Sequence, residues 1–278
     1  MKVRLSDEII YNVVFDENKL KGDSIPLVFL HGFSGSAKDW EFIFNQIPSR
    51  FSPLSIDLLG HGESSSPENV QDYYFLRQNS HLKNILERLN IRNAILFGYS
   101  MGGRAALTFS FANPDMVRSL ILESSTAGIS NFEERLTRAE SDEQLADRIE
   151  LFGIDKFVDH WMNIPLFDSL KNIPQEKYAE VIANKLRNNR TGLANSLRGF
   201  GTGTMPPLWS ELKNIKQKVF LITGELDKKF TEINQRMNEE FPNSQRYVIK
   251  NAGHNVHLEK PEEFINLVNY LLREIDED

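Results

Sequence analysis

The chain has 278 residues, 40% of them hydrophobic and 26% charged, the balance of a soluble globular protein with room for a sizeable core. Its net charge of −7 argues against a general nucleic-acid binder, which would need a basic face, but leaves room for a small anionic substrate held by a local cluster of arginines. With no cysteine in the chain, disulfides, thiolate catalysis and thiolate metal sites are excluded.

Residues 1–8 are polar and charged and lack the apolar core of a signal segment. No apolar run approaches the roughly 20 residues that a membrane span needs, so a cytoplasmic protein is expected. Residues 11–15 predict a first strand. Residues 26–30 form a short apolar run ending at His31-Gly32, and 53–57, 94–97, 119–122 and 219–222 read the same way. Such near-continuous apolar strands suit a parallel sheet covered on both faces. Residues 245–249 predict the last strand.

Helical stretches separate them. Trp40, Ile43, Phe44 and Ile47 share one helical face, as do Leu82, Ile85, Leu86 and Leu89, and then Phe264, Leu267, Val268 and Leu271. This alternation implies an α/β fold with a mostly parallel central sheet and helices on both faces. It breaks between about 126 and 212, where the chain is amphipathic and polar, carries six arginines and shows no convincing strand. We read 126–212 as a helical cap inserted between core segments 1–125 and 213–278. A cap there would roof the carboxyl ends of the strands, where open α/β sheets bind ligands.

Gly98-Tyr99-Ser100-Met101-Gly102 follows one apolar strand and precedes a helix-like run. A Gly-Ser turn alone would also contain these residues. The strand before and the helix after instead select a nucleophile elbow, a tight turn that exposes the Ser100 hydroxyl and sets the Met101 N–H at a helix N-terminus as an oxyanion donor. The second donor on this architecture comes from the loop after the first apolar strand, which makes the Phe33 N–H the candidate. His31 reads as a structural hydrogen-bonder.

A serine hydroxyl needs a base. Of six histidines, His160, His254 and His257 follow Ser100, as the order serine, acid, histidine requires. His160 lies in the inserted region with no strand before it, and His257 is expected to begin the next helix as a structural neighbour. His254 sits just past the last strand and is the candidate base. The acid should follow a strand between them. Glu225 and Asp227 both qualify by type, and Asp227 lies further out on the loop, where it can orient the imidazole.

Residues 30–33 (LHGF), 57–62 (DLLGHG), 98–103 (GYSMGG), 224–227 (GELD) and 252–254 (AGH) resemble the α/β-hydrolase superfamily along nearly the whole chain. Segments 98–107 (GYSMGGRAAL), Trp161 with 165–167 (PLF), 193–198 (LANSLR), 201–203 (GTG), 227–230 (DKKF) and 254–257 (HNVH) further resemble the MenH family. These are the 2-succinyl-6-hydroxy-2,4-cyclohexadiene-1-carboxylate synthases of menaquinone biosynthesis. The resemblance implies a lyase that removes a ring proton and expels pyruvate from an enolpyruvyl tricarboxylate, with Ser100 as general base and not as an acylated nucleophile. It implies no metal or organic cofactor.

A tricarboxylate calls for arginines, whose planar forks match carboxylates. Arg104, one helical turn after Ser100, is expected to share its helix face and to bind substrate. By resemblance, Arg138 and Arg187 of the cap would also hold carboxylates, although Arg135, Arg190 and Arg198 are near-neighbours and a solvated helix charge is the usual fate of an arginine. Tyr99, Trp161 and Lys229 match family pocket positions, and Trp161 would serve equally as cap core. Two alternatives to the lyase are a carboxylester hydrolase acylated at Ser100 and a non-catalytic binding protein. The intact order of Ser100, Asp227 and His254 argues against the second. The expected partner is a small anionic substrate.

Overall fold

The computed structural model describes residues 1–15 and 24–277. Eight strands form one sheet: β1 (Lys2–Arg4), β2 (Ile10–Phe15), β3 (Ile25–Leu30), β4 (Phe51–Ile56), β5 (Ala94–Tyr99), β6 (Val117–Glu123), β7 (Lys218–Gly224) and β8 (Ser244–Ile249). Their order is β1-β2-β4-β3-β5-β6-β7-β8. The first two strands pair antiparallel and the other six run parallel. Every strand expected from the sequence is present. The edge strand β1 was not expected, because its three residues carry two exposed cations around one buried Val3 and show no apolar run.

Nine helices are described: α1 (Glu41–Phe44), α2 (Phe75–Arg88), α3 (Met101–Ala112), α4 (Phe132–Trp161), α5 (Gln175–Leu186), α6 (Arg190–Phe200), α7 (Lys228–Glu240), α8 (Val256–Glu259) and α9 (Pro261–Asp276). The sheet is apolar on both sides because helices cover both sides. Along β3, Val28 and Leu30 pack with α2 and α3, while Leu27 and Phe29 turn to Trp40 and α9. Along β5, Leu96 faces the first side and Ile95 and Phe97 the second. The stripe predicted over 40–47 is a 3₁₀ turn, Ala37–Trp40, followed by the short α1.

Among the described residues, no strand lies between β6 and β7. That stretch holds α4, α5 and α6, which build their own apolar cluster around Ile149, Phe157, Leu193 and Leu197. Arg198 of α6 ties it to α4 through Glu143, Asp147 and Glu150, at 2.7–2.8 Å. Helix α4 is broken at Gly153, whose φ of 83° interrupts the helical path. No helix among the described residues is long and apolar enough to cross a membrane.

Candidate active site

Strand β5 ends at Tyr99 and α3 begins at Met101, so Ser100 makes the whole turn between strand and helix. It does so at φ 50° and ψ −104°, a conformation that non-glycine residues rarely hold and that the packing around the turn must enforce. The packing demands Gly102: a β-carbon there would overlap the Leu30 carbonyl of β3. The Ser100 N–H donates to the Glu123 carbonyl of β6 at 2.8 Å, fixing the turn against the neighbouring strand.

The loop after β8 brings His254 to this serine from a sequence separation of 154. Ser100 Oγ and His254 Nε2 are 3.1 Å apart, and His254 Nδ1 is 2.6 Å from Asp227 Oδ2. A carboxylate can only accept, so the proton between them belongs on Nδ1, which leaves Nε2 free to accept from the serine hydroxyl. Asp227 also caps α7, accepting from the Phe230 N–H at 3.2 Å through Oδ1. Capping and orienting the imidazole are thus done by opposite oxygens of one carboxylate. Glu225, the other acid considered, is exposed and accepts from the Asn251 N–H. His160 is exposed on α4.

His31 is fully buried; its Nε2 accepts from the Leu58 N–H at 2.9 Å, and burial lowers its pKa. His257 lies on α8 and forms a buried pair with Glu123, with Nδ1 at 2.9 Å from both carboxylate oxygens. Its ring packs 4.8 Å from that of Tyr99. His257 is thus the structural neighbour expected from its place in the chain, while Glu123, an acidic residue at the end of an apolar strand, carries no local signal of this pairing.

Above Ser100 lies a cavity of about 580 Å³, roofed by α4, α5 and α6. Met101 and Phe33 both line it. The Met101 N–H belongs to the first turn of α3, where backbone donors have no partner within the helix. Tyr99, Arg104, Arg138, Trp161 and Lys229 also line it. Arg104 is 7% exposed, and Nη1 donates to the Phe200 carbonyl at 2.7 Å. Its guanidinium lies 5.9 Å from the Phe75 ring and 5.6 Å from that of Phe200. Burial above all, and the charge of Arg138 next, push its pKa down to about 9, with Asp142 acting the other way. Arg138 Nε donates to Asp142 Oδ1 at 2.8 Å. Trp161 packs among Phe33, Phe157 and Phe167, and its indole N–H is buried without a partner.

Arg187 is not brought to the cavity. It follows the last turn of α5 and is exposed, because the chain turns there to start α6. The residue of this segment that lines the cavity is Lys185, two positions earlier and buried. Of the other arginines considered, Arg135 lies over Phe132 and donates to the Ile129 carbonyl, Arg190 is exposed, and Arg198 is consumed by its three carboxylates.

A doubly covered parallel sheet with an elbow serine, a histidine after the last strand and an acid after the strand before it defines an α/β protein of the serine-triad class. The family model described as alpha/beta hydrolase fold matches residues 25–261. A Bacillus subtilis (strain 168) protein, provisionally named 2-succinyl-6-hydroxy-2,4-cyclohexadiene-1-carboxylate synthase, is 41% identical over 276 residues, covering 99% of each chain. The synthase of that name from Enterobacter sp. (strain 638) is 33% identical over 84% of this chain and 86% of its own. The solved structure of MenH from S. aureus superposes with a TM-score of 0.90 at 33% identity, over 96% of this chain and 98% of that one. The chain belongs to the alpha/beta hydrolase fold family and, within it, to the family of the 2-succinyl-6-hydroxy-2,4-cyclohexadiene-1-carboxylate synthases.

Proposed function

We propose that the chain is a carbon–oxygen lyase that eliminates pyruvate from an enolpyruvyl tricarboxylate to give 2-succinyl-6-hydroxy-2,4-cyclohexadiene-1-carboxylate in menaquinone biosynthesis. The observation that carries this reading is the opening of the Ser100–His254–Asp227 hydrogen-bond chain into a cavity whose wall holds a buried guanidinium, Arg104. We assign residues 126–212 as the cap that closes this site, and the cytoplasm as its location.

In this mechanism His254 Nε2 takes the hydroxyl proton of Ser100, and Asp227 stabilises the resulting imidazolium. The serine oxygen then removes the ring proton. The electrons of the broken C–H bond become a ring double bond, and the C–O bond to the enolpyruvyl group breaks. Pyruvate leaves as its enolate, takes up a proton and tautomerises. The N–H groups of Phe33 and Met101 would hold negative charge developing on the substrate, as preorganised donors do without reorganising. Arg104 and Arg138 would hold carboxylates, Lys229 would add a cation at the exposed rim, and Tyr99 and Trp161 would pack the ring.

The same triad could instead acylate Ser100 and hydrolyse an ester. Incubating the purified protein with the enolpyruvyl substrate decides between them. Pyruvate release at saturation is expected, with weak turnover of p-nitrophenyl esters. No release above background, together with an acyl-enzyme burst, would reject the lyase.

A further inference from the structure

His254 sits on a loop, and a loop alone holds no fixed distance, yet its Nε2 stands 3.1 Å from Ser100 Oγ. Two carboxylates outside the triad close the route between them. The first is Glu123, fully buried at the end of β6. Its backbone carbonyl accepts from the Ser100 N–H at 2.8 Å. Its carboxylate accepts twice from His257, from the backbone N–H at 3.1 Å and from Nδ1–H at 2.9 Å. The second is Glu259, which ends the same helical turn, α8, and is half-buried. Its Oε2 accepts from the Gly253 N–H at 2.7 Å and its Oε1 from the Asn255 N–H at 3.2 Å. These are the N–H groups of the residues immediately before and after His254. Glu259 therefore clasps the backbone around the imidazole, and Glu123 fastens the turn that carries the clasp to the strand beside Ser100. Hydrogen bonds to an ionised carboxylate are the stronger kind, so each link is stiff.

We propose that Glu123 and Glu259 are positioning residues acting in series, which together set the distance between His254 Nε2 and Ser100 Oγ. This rests on the reading of that pair as the reacting groups. Neither carboxylate is among the described residues lining the cavity, so both act through His254 and not on the substrate. The sensitivity is high, because misplacing a reacting group by about 1 Å costs on the order of 100-fold in rate.

The test compares Glu123→Gln, Glu259→Gln and the double variant. A glutamine keeps the size of the side chain but offers one acceptor oxygen where each site needs two. Each single variant should lower kcat for pyruvate release at least tenfold and leave KM within threefold of wild type. The rate at which a fluorophosphonate labels Ser100 should fall by a similar factor. Links in series fail together, so the double variant should lose little more than the worse single one. Double losses that equal the product of the single losses overturn the proposal. So does a fall in thermal midpoint with kcat and labelling kept, the mark of a merely structural role, and so does a rise in KM that matches the fall in kcat. If Glu123→Gln does not fold, Glu259→Gln decides by the same kcat, KM and labelling criteria. If the wild type labels but releases no pyruvate, the lyase reading fails and the labelling rates still decide. A wild type that does neither removes the triad, and this proposal with it.

Discussion

Arg104→Met is the substitution that bears most directly on the tricarboxylate reading. The variant keeps a flexible stem beside the stacked Phe75 and Phe200 rings and removes the guanidinium. Two effects oppose each other in stability. The Phe200 carbonyl loses its 2.7 Å donor, which costs about 1–3 kcal/mol if no water replaces it. Against this, a cation only 7% exposed, with no carboxylate in ion-pair contact among the described residues, no longer has to be desolvated. The net change in unfolding free energy should therefore stay within about 2 kcal/mol. Catalysis has no such compensation. A charge-assisted, bidentate grip on a carboxylate contributes up to about 3 kcal/mol, and its loss should lower kcat/KM by on the order of 100-fold. The assay is initial-rate pyruvate release across substrate concentrations, alongside urea unfolding to show that the variant is folded. A folded Arg104→Met enzyme with kcat/KM within threefold of wild type would refute the assignment.

Three further outcomes are expected. Ser100→Ala should lower kcat by at least about 10³-fold while still binding benzene-1,3,5-tricarboxylate, a stable probe for a polycarboxylate site, because it removes the proton acceptor and leaves the cations; undiminished pyruvate release would exclude Ser100 as base. Gly102→Ala should yield little folded protein by thermal melt, since its methyl group must displace β3 at the Leu30 carbonyl, and a normal midpoint would contradict the close packing described. His31 and His61 are both kept neutral by burial, with pKa values below the ordinary one. The unfolded chain therefore binds protons that the folded chain refuses as pH falls below about 6.5. Stability should be level above that point and drop below it, by up to ~1 kcal/mol per pH unit for each ring. Urea midpoints at pH 7.5 and 5.5 measure this, His61→Phe should lessen the slope, and a midpoint indifferent to acid would show that both rings ionise freely in the fold.

Much of the site was legible because its signals are local. The elbow is written in five consecutive residues, since only glycines permit so sharp a turn, and the flanking strand and helix have their own periodicities. His254 and Asp227 were found by order along the chain, because a parallel sheet delivers the ends of successive strands to one edge. Arg104 was legible as a charge on a helix whose residues 101–110 are all buried. The arginines of the insertion were not. Arg138 lies on the amphipathic α4 and Arg187 just past the last turn of α5, where one residue's rotation decides between cavity and water, and the tertiary fold turned one inward and the other out. Lys185 carries only a weak signal, a lysine in register with Val181 on the apolar stripe of α5.

By itself, then, the amino-acid sequence determined the doubly covered sheet, the strand-free helical stretch between β6 and β7 and the order in which Ser100, Asp227 and His254 follow their strands. Hydrophobic period and turn chemistry act over a few residues and leave their marks in them. Only the tertiary structure decided which cations enter the cavity, that Glu123 and His257 pair beneath Tyr99, and that one carboxylate of Asp227 both caps α7 and orients His254. Those are contacts between elements far apart in sequence, and which side chains meet there depends on how each helix rolls against its neighbours.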